Sequence, residues 1–140
     1  MAIFKTHGIE VEYNDFSPVV LLALKNAVSR GLGACGERAV EYAIDKCPVD
    51  TSWLSQNISY KLMDEECYIG TNIEYAPYVE YGTGIYAENG DGRKTPWIWT
   101  DKNGDTHFTR GQKPQPFLRP AAQDHAKEYL GILKDSLINA

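Results

Sequence analysis

Between Pro18 and Pro48 the chain contains no proline, and Val20, Leu24, Val28, Leu32, Cys35, Ala39 and Ala43 recur there at spacings of three and four. That spacing puts them on one face of a long amphipathic helix. Ser17-Pro18 supplies the start, a hydroxyl at the cap position followed by a proline whose ring is preset for the first turn. Pro48 supplies the stop, because its ring pushes Cys47 out of the helical region. Gly31, Gly33 and Gly36 each weaken the middle by about 1 kcal/mol relative to alanine, so a kink or break is expected there.

Beyond Pro48 the period changes. Ile58, Tyr60 and Leu62 alternate with polar neighbours and predict a half-buried strand. Asp64-Glu65-Glu66 form a polar turn, and Cys67-Tyr68-Ile69-Gly70 predict the returning strand. A tyrosine-rich segment, 75–81, is interrupted by Pro77. Residues 82–95 read as a glycine-rich polar loop, longer than compact domains carry without a purpose. A second hairpin follows, Trp97 to Thr100 and Thr106 to Thr109, about a turn holding Asn103-Gly104, both of which tolerate positive φ. Pro114 and Pro116 stiffen the exit. A last helix is expected to open at Pro120, with Ala122, Ala126, Tyr129, Leu130, Leu133 and Leu137 on one face. This order predicts an α+β fold: a long N-terminal helix and a C-terminal helix on a small antiparallel sheet, with a loop-and-hairpin excursion over 82–111. The whole of 1–140 reads as one domain without internal repeats.

Composition narrows the function. Fourteen Lys and Arg stand against nineteen Asp and Glu, a net charge of −5. Tight binding to duplex DNA depends on cations that displace counterions from phosphate, so a polybasic role is disfavoured. Cys35, Cys47 and Cys67 are odd in number and widely spaced, the pattern of free thiols in a reducing compartment. No signal peptide is evident at the start. The longest apolar run, Val19 to Leu24, falls far short of the roughly 20 residues a membrane helix needs. A soluble, cytosol-made domain is expected.

Several motifs invite a catalytic or cofactor reading. Gly31-Leu32-Gly33-Ala34-Cys35-Gly36 matches a dinucleotide fingerprint, but a helix leads into it and no βαβ unit surrounds it. Close helix packing accounts for those small residues better. Residues 90–95 have the lysine of a phosphate loop misplaced by one position. Asp101, Asn103 and Asp105 open like a calcium loop, yet the later glycine and glutamate are missing, and a hairpin turn fits better. No histidine among His7, His107 and His125 has metal-binding spacing. No cofactor is expected.

Aromatics carry more information. Nine Tyr, three Trp and four Phe occur, and Tyr75, Tyr78, Tyr81, Tyr86, Trp97 and Trp99 lie outside the periodic segments. Tyr and Trp bring large contact area at low entropic cost, so they suit protein interfaces. Tyr81, Tyr86, Trp97, Trp99 and Phe108 are the candidate subunit-interface residues.

Three blocks then point to a family. They are Cys47-Pro48-Val49-Asp50-Thr51-Ser52-Trp53-Leu54, Tyr75-Ala76-Pro77-Tyr78-Val79-Glu80-Tyr81-Gly82-Thr83-Gly84, and Pro114-Gln115-Pro116-Phe117-Leu118-Arg119-Pro120-Ala121. In this order, between two helices, they resemble the neck and minor tail-component proteins of tailed bacteriophages and prophages over residues 18–138. Ser52 stands where the family usually has glycine, and Ser55 where arginine is common. The resemblance implies a virion structural protein without enzymatic activity, made in the bacterial host cytoplasm. It would form a homo-oligomeric ring, six copies being favoured over twelve, between the head connector and the tail tube. DNA would pass through the lumen without tight binding, and no membrane would be involved.

Within such a subunit, Asp50 and Thr51 are expected to cap the segment after the first helix through side-chain oxygens. Glu80 and Arg119 are expected to meet as a bidentate pair that fastens the loop base to the final helix. Phe117 and Leu118 are expected to be buried anchors, each stabilising by about 1.5–3 kcal/mol. The excursion is expected to be mobile until a neighbour orders it. Two readings from other classes compete: a small hydrolase using a cysteine or histidine, and a carbohydrate- or peptide-binding module with Trp97 and Trp99 as a stacking platform.

Overall fold

A computed structural model describes residues 2–6, 9–13, 16–48 and 52–140, the first two segments as backbone only. Asp50 and Thr51, the expected caps, and His7 lie outside the described residues. The fold is α+β. Strands β1 (Ala2–Thr6) and β2 (Ile9–Tyr13) form an antiparallel pair with Ile3 opposite Glu12 and Phe4 opposite Val11. Helices α1 (Ser17–Lys46) and α2 (Ser52–Gln56) follow, then strands β3 (Ile58–Met63) and β4 (Glu66–Thr71). Helix α3 (Ala76–Tyr81) leads into a 3-10 turn at Gly84–Tyr86 and a hairpin of β5 (Trp97–Thr100) and β6 (Thr106–Thr109). Helices α4 (Leu118–Gln123) and α5 (Ala126–Ile138) close the described chain. Among the described residues the strands make three separate two-stranded antiparallel sheets.

Helix α1 is continuous; the glycines do not break it. It begins at Ser17 with Phe16 in the cap position, so Ser17 lies one residue inside the helix and not at the cap. At the other end Cys47 is extended, φ −68° and ψ 136°, as the ring of Pro48 requires. Two of the three glycines are close-approach points. A Cβ at Gly31 would lie 2.9 Å from Leu133 Cδ2 of α5, and one at Gly36 would lie 2.6 Å from the Tyr60 ring of β3 and 2.8 Å from Cys67 Sγ of β4. The absent side chains let α5 and the β3–β4 hairpin come down onto the helix.

The expected stripe holds only along the C-terminal half of α1. Ala27, Gly31, Cys35, Gly36, Ala39 and Ala43 are buried, whereas Val20 and Leu24 are exposed together with Phe16, Val19, Leu21 and Leu22. Periodicity marks a face suited to burial, but whether another element covers it is a tertiary matter. By length and mean hydropathy α1 is apolar enough to cross a membrane, although its C-terminal half is already packed against α5, β3 and β4.

One core collects distant parts of the chain: Ala43, Cys47, Leu54, Ile58, Ala76, Phe117 and Ala121, flanked by Val40, Ile69, Val79 and Leu118. The C-terminal segment differs from the single helix expected from Pro120. Helix α4 starts two residues earlier, and the chain turns at Asp124 and His125 before α5. At that turn the His125 ring stacks on Tyr42 of α1, centroids 3.5 Å apart and planes within 3°. Glu128 ties α5 to α1 by accepting from Arg38 Nε at 2.9 Å and from the Tyr42 hydroxyl. Ser136 Oγ donates to the Ala27 carbonyl at 2.5 Å. The face turned to α1 therefore runs through Tyr129, Leu133 and Ser136, while Ala122, Ala126, Leu130 and Leu137 are exposed.

Candidate functional site

The second and third sequence blocks meet at the root of the excursion. Pro77 opens α3 where the sequence suggested an interruption, because proline's fixed φ suits a first helical turn. The short helix carries Glu80 inward, 4% exposed, while Tyr75, Tyr78 and Tyr81 remain exposed. Glu80 Oε2 accepts from the backbone N–H groups of Phe117 at 2.9 Å and Leu118 at 3.0 Å. Its Oε1 accepts from the N–H of Arg119 and from Arg119 Nε, both at 2.9 Å. Free N–H groups at a helix start need acceptors, and here a carboxylate from a helix far away in sequence supplies them. Burial alone would raise the Glu80 pKa; the three backbone donors and Arg119 outweigh it and hold the carboxyl below its ordinary value.

Glu80 and Arg119 are in contact as expected, but the bidentate fork goes elsewhere. Arg119 Nη1 and Nη2 each donate to Glu88 at 3.0 Å, and Nη2 also donates to the Glu80 carbonyl at 3.1 Å. The guanidinium lies 4.7 Å from the centroid of the Tyr81 ring. Glu88 and Glu80 together hold the Arg119 pKa above its ordinary value. Sequence reasoning missed Glu88 because it lies in the loop, outside the recognised blocks. Phe117 is fully buried and Leu118 half-buried, so only the first is an interior anchor. Pro48 is half-buried at the end of α1, Pro116 is half-buried, and Pro120 lies in the first turn of α4.

Above Glu80 the chain is sealed. Thr83 N–H donates to the Gln112 carbonyl at 2.9 Å, Gln112 N–H donates to Thr83 Oγ1 at 2.9 Å, and Ile85 N–H donates to the Arg110 carbonyl at 3.1 Å. Gly82 ends α3, and Glu88 N–H donates back to the Tyr81 carbonyl at 2.9 Å. Gly84 (φ +60°) and Gly111 (φ +125°) face each other across this neck. A Cβ on Gly84 would lie 2.0 Å from the Arg110 carbonyl oxygen, and one on Gly111 would lie 2.1 Å from that of Thr83. Only glycine permits both the conformations and the approach. The excursion is thus not one long free loop: 82–88 and 110–112 are bound together, Trp97 is half-buried beside α3, and the hairpin from Ile98 to Phe108 stands away from the body.

In that hairpin Trp97 pairs with Thr109, Ile98 with Phe108, and Trp99 with His107. The turn is organised by Asp101, whose Oδ1 accepts from the N–H groups of Asn103 and Asp105, each at 2.9 Å. Asp101 Oδ2 lies 2.8 Å from His107 Nε2. His107 and these turn donors hold the Asp101 pKa below its ordinary value. His107 also stacks on Trp99, centroids 4.5 Å apart. Alternation places Ile98 and Phe108 on the other face, where they are 69% and 68% exposed. Of the expected interface residues, Tyr81, Tyr86, Trp99 and Phe108 are exposed. Trp97 is half-buried, near Arg93, and helps to line a cavity of about 460 Å³ with Tyr78 and Tyr81. Ile98 was missed, since a lone isoleucine between tryptophans gives no signal of which face stays bare.

The chemical groups weighed for catalysis are dispersed. His107 and Asp101 sit on the exposed hairpin, and His125 is engaged with Tyr42 at the α1–α5 seam. Cys35, Cys47 and Cys67 are free thiols whose pKa values burial pushes up. Among the described residues no group of three His, Cys, Asp or Glu side chains is placed to hold a metal ion. No family model, curated protein or solved structure matches this chain.

Proposed function

We propose that the protein is a structural component of the tailed-phage neck, a non-enzymatic virion protein. Its copies form a ring, of six subunits in the favoured case, between the head connector and the tail tube. DNA traverses the lumen without being gripped. The observation that carries this reading is the meeting of the quoted blocks at one core. Cys47 and Leu54 from the first, Ala76 from the second and Phe117 and Ala121 from the third share it. Glu80 of the second is bonded to the start of α4 in the third. What these blocks build is a rigid base from which an aromatic hairpin projects, and a bare projecting hairpin is an assembly device before it is anything else.

Sedimentation and native mass spectrometry over a wide concentration range test the proposal. A closed oligomer of fixed copy number that grows with concentration is expected. A monomer at every concentration would sink the reading, and so would tight, salt-sensitive binding to duplex DNA.

A further inference from the structure

We infer that Cys35 of α1 and Cys67 of β4 form a dithiol modification site, closed to an intramolecular disulfide by exchange with a low-molecular-weight disulfide. The inference goes beyond the ring reading, which supplies only the occasion: a virion leaves a reducing cytoplasm for surroundings in which disulfides persist.

The two thiols line one cavity of about 410 Å³, walled by Leu32 and Ala39 of α1 and by Tyr129 and Leu133 of α5. Cys35 is 8% exposed and Cys67 is half-buried. Gly36 brings them near each other. A Cβ there would lie 2.8 Å from Cys67 Sγ, so that sulfur rests on the helix surface at the residue next to Cys35. Such an approach of strand to helix is what a disulfide needs, since its two Cβ atoms stand only about 4 Å apart. Cys35 Sγ donates to the Tyr129 carbonyl at 3.4 Å, which holds it at the same seam. The third cysteine is elsewhere. Cys47 lies in the core with Leu54 and Phe117, and the helix between puts it about 18 Å from Cys35 along the axis. The odd cysteine count thus resolves into one pair and one single buried thiol.

The exchange has two steps. The Cys67 thiolate, on the more exposed sulfur, attacks one sulfur of the small disulfide, whose S–S bond breaks and releases a small thiolate. The Cys35 thiolate then attacks the Cys67 sulfur, the mixed bond breaks and the second small thiolate leaves. The two cysteines lose two electrons, the reagent gains them, and the two cysteine protons end on the released thiols. Burial pushes the Cys67 thiol up; burial, then the Cys67 sulfur and Glu128, do the same for Cys35. Thiolate therefore increases as pH rises, and closure should be faster at pH 9 than at pH 7.

The test treats the full chain with cystamine, whose two ammonium groups suit a cavity that Glu65 and Glu66 also line. Intact mass and non-reducing peptide mapping follow an acid quench. The parent should lose the mass of two hydrogens, with Cys35 joined to Cys67 in the same chain. Its urea midpoint should rise and return to the starting value with dithiothreitol, since the bond restricts the unfolded chain. C47S should close like the parent, and C35S should stop at one cysteamine adduct on Cys67. The parent's own map decides the question even if a variant folds poorly. A lasting adduct on the parent, a link to Cys47 or to a second copy, or thiols that react only in urea would overturn the inference. So would a lower midpoint after closure, which would mean that the native arrangement does not accommodate the bond. The ring reading is judged separately, by sedimentation under reducing conditions, so either can fail alone.

Discussion

The two halves of α1 have similar apolar content and opposite fates. From Ala27 onward, small residues allow α5 and the β3–β4 hairpin to close on the helix, and the buried positions are alanine, glycine and cysteine. Before Asn26 the apolar residues other than Ala23 are large, Phe16, Val19, Val20, Leu21, Leu22 and Leu24, and all are exposed. Small residues mark where a helix is approached by its own chain; large ones left bare mark where a second molecule can gain area. The excursion repeats the contrast, with a glycine-rich neck bound to the body and a tip of Ile98, Trp99 and Phe108 facing solvent.

The comparison can be broken most severely at Phe117. F117A should destabilise the subunit by about 3–5 kcal/mol in urea unfolding, because it empties a closed core position. F108A on the bare tip should change monomer stability by no more than about 0.5 kcal/mol. Equal effects would show that the tip is packed after all.

Glu80 comes next. E80Q should lose about 1.5–3 kcal/mol at neutral pH, since hydrogen bonds to a charged acceptor weaken together. The folded pKa of Glu80 lies below the ordinary 4.5. Its contribution is therefore fully present above pH 4.5 and is lost as pH falls toward the lower folded value. Stability measured from pH 7 to pH 3 should fall more steeply for the parent than for E80Q, and parallel curves would refute the assignment.

A finer test separates two glycines of α1. G36A should destabilise by about 1–3 kcal/mol, because the Tyr60 ring and Cys67 occupy the space. At Gly33 the nearest side-chain atom to a new Cβ would be 3.8 Å away. G33A should therefore stabilise by up to about 1 kcal/mol through helix propensity alone. Opposite signs within one turn are the expected thermal-melt result.

Local chemistry was legible in the sequence where it decides the structure. Pro48 ends α1, the alternation of Ile58, Tyr60 and Leu62 finds β3 to within a residue, and Asn103-Gly104 finds the hairpin turn. The candidate site was half legible. The Glu80–Arg119 contact and the burial of Phe117 follow from the charged and apolar members of the blocks, whereas the fork to Glu88 depends on how the loop folds back. Strand β2 was missed although Ile9, Val11 and Tyr13 alternate with glutamates, a pattern typical of half-buried strands. Helix α3 was missed because Pro77 was weighed as an interruption instead of a helix opening. The break at Asp124 and His125 and the bare first turns of α1 depend on neighbours distant in sequence, which periodicity does not encode.

The neck between Thr83 and Gln112 separates the energetics of the tip from those of the body. Once those two segments are fastened, each doubling of the length between them adds only about 0.6 kcal/mol of closure entropy. The stretch from Ile98 to Phe108, beyond the half-buried Trp97, is in that sense a replaceable cassette. It can be lengthened, shortened or recoded for a different neighbour while the helices beneath it fold as before.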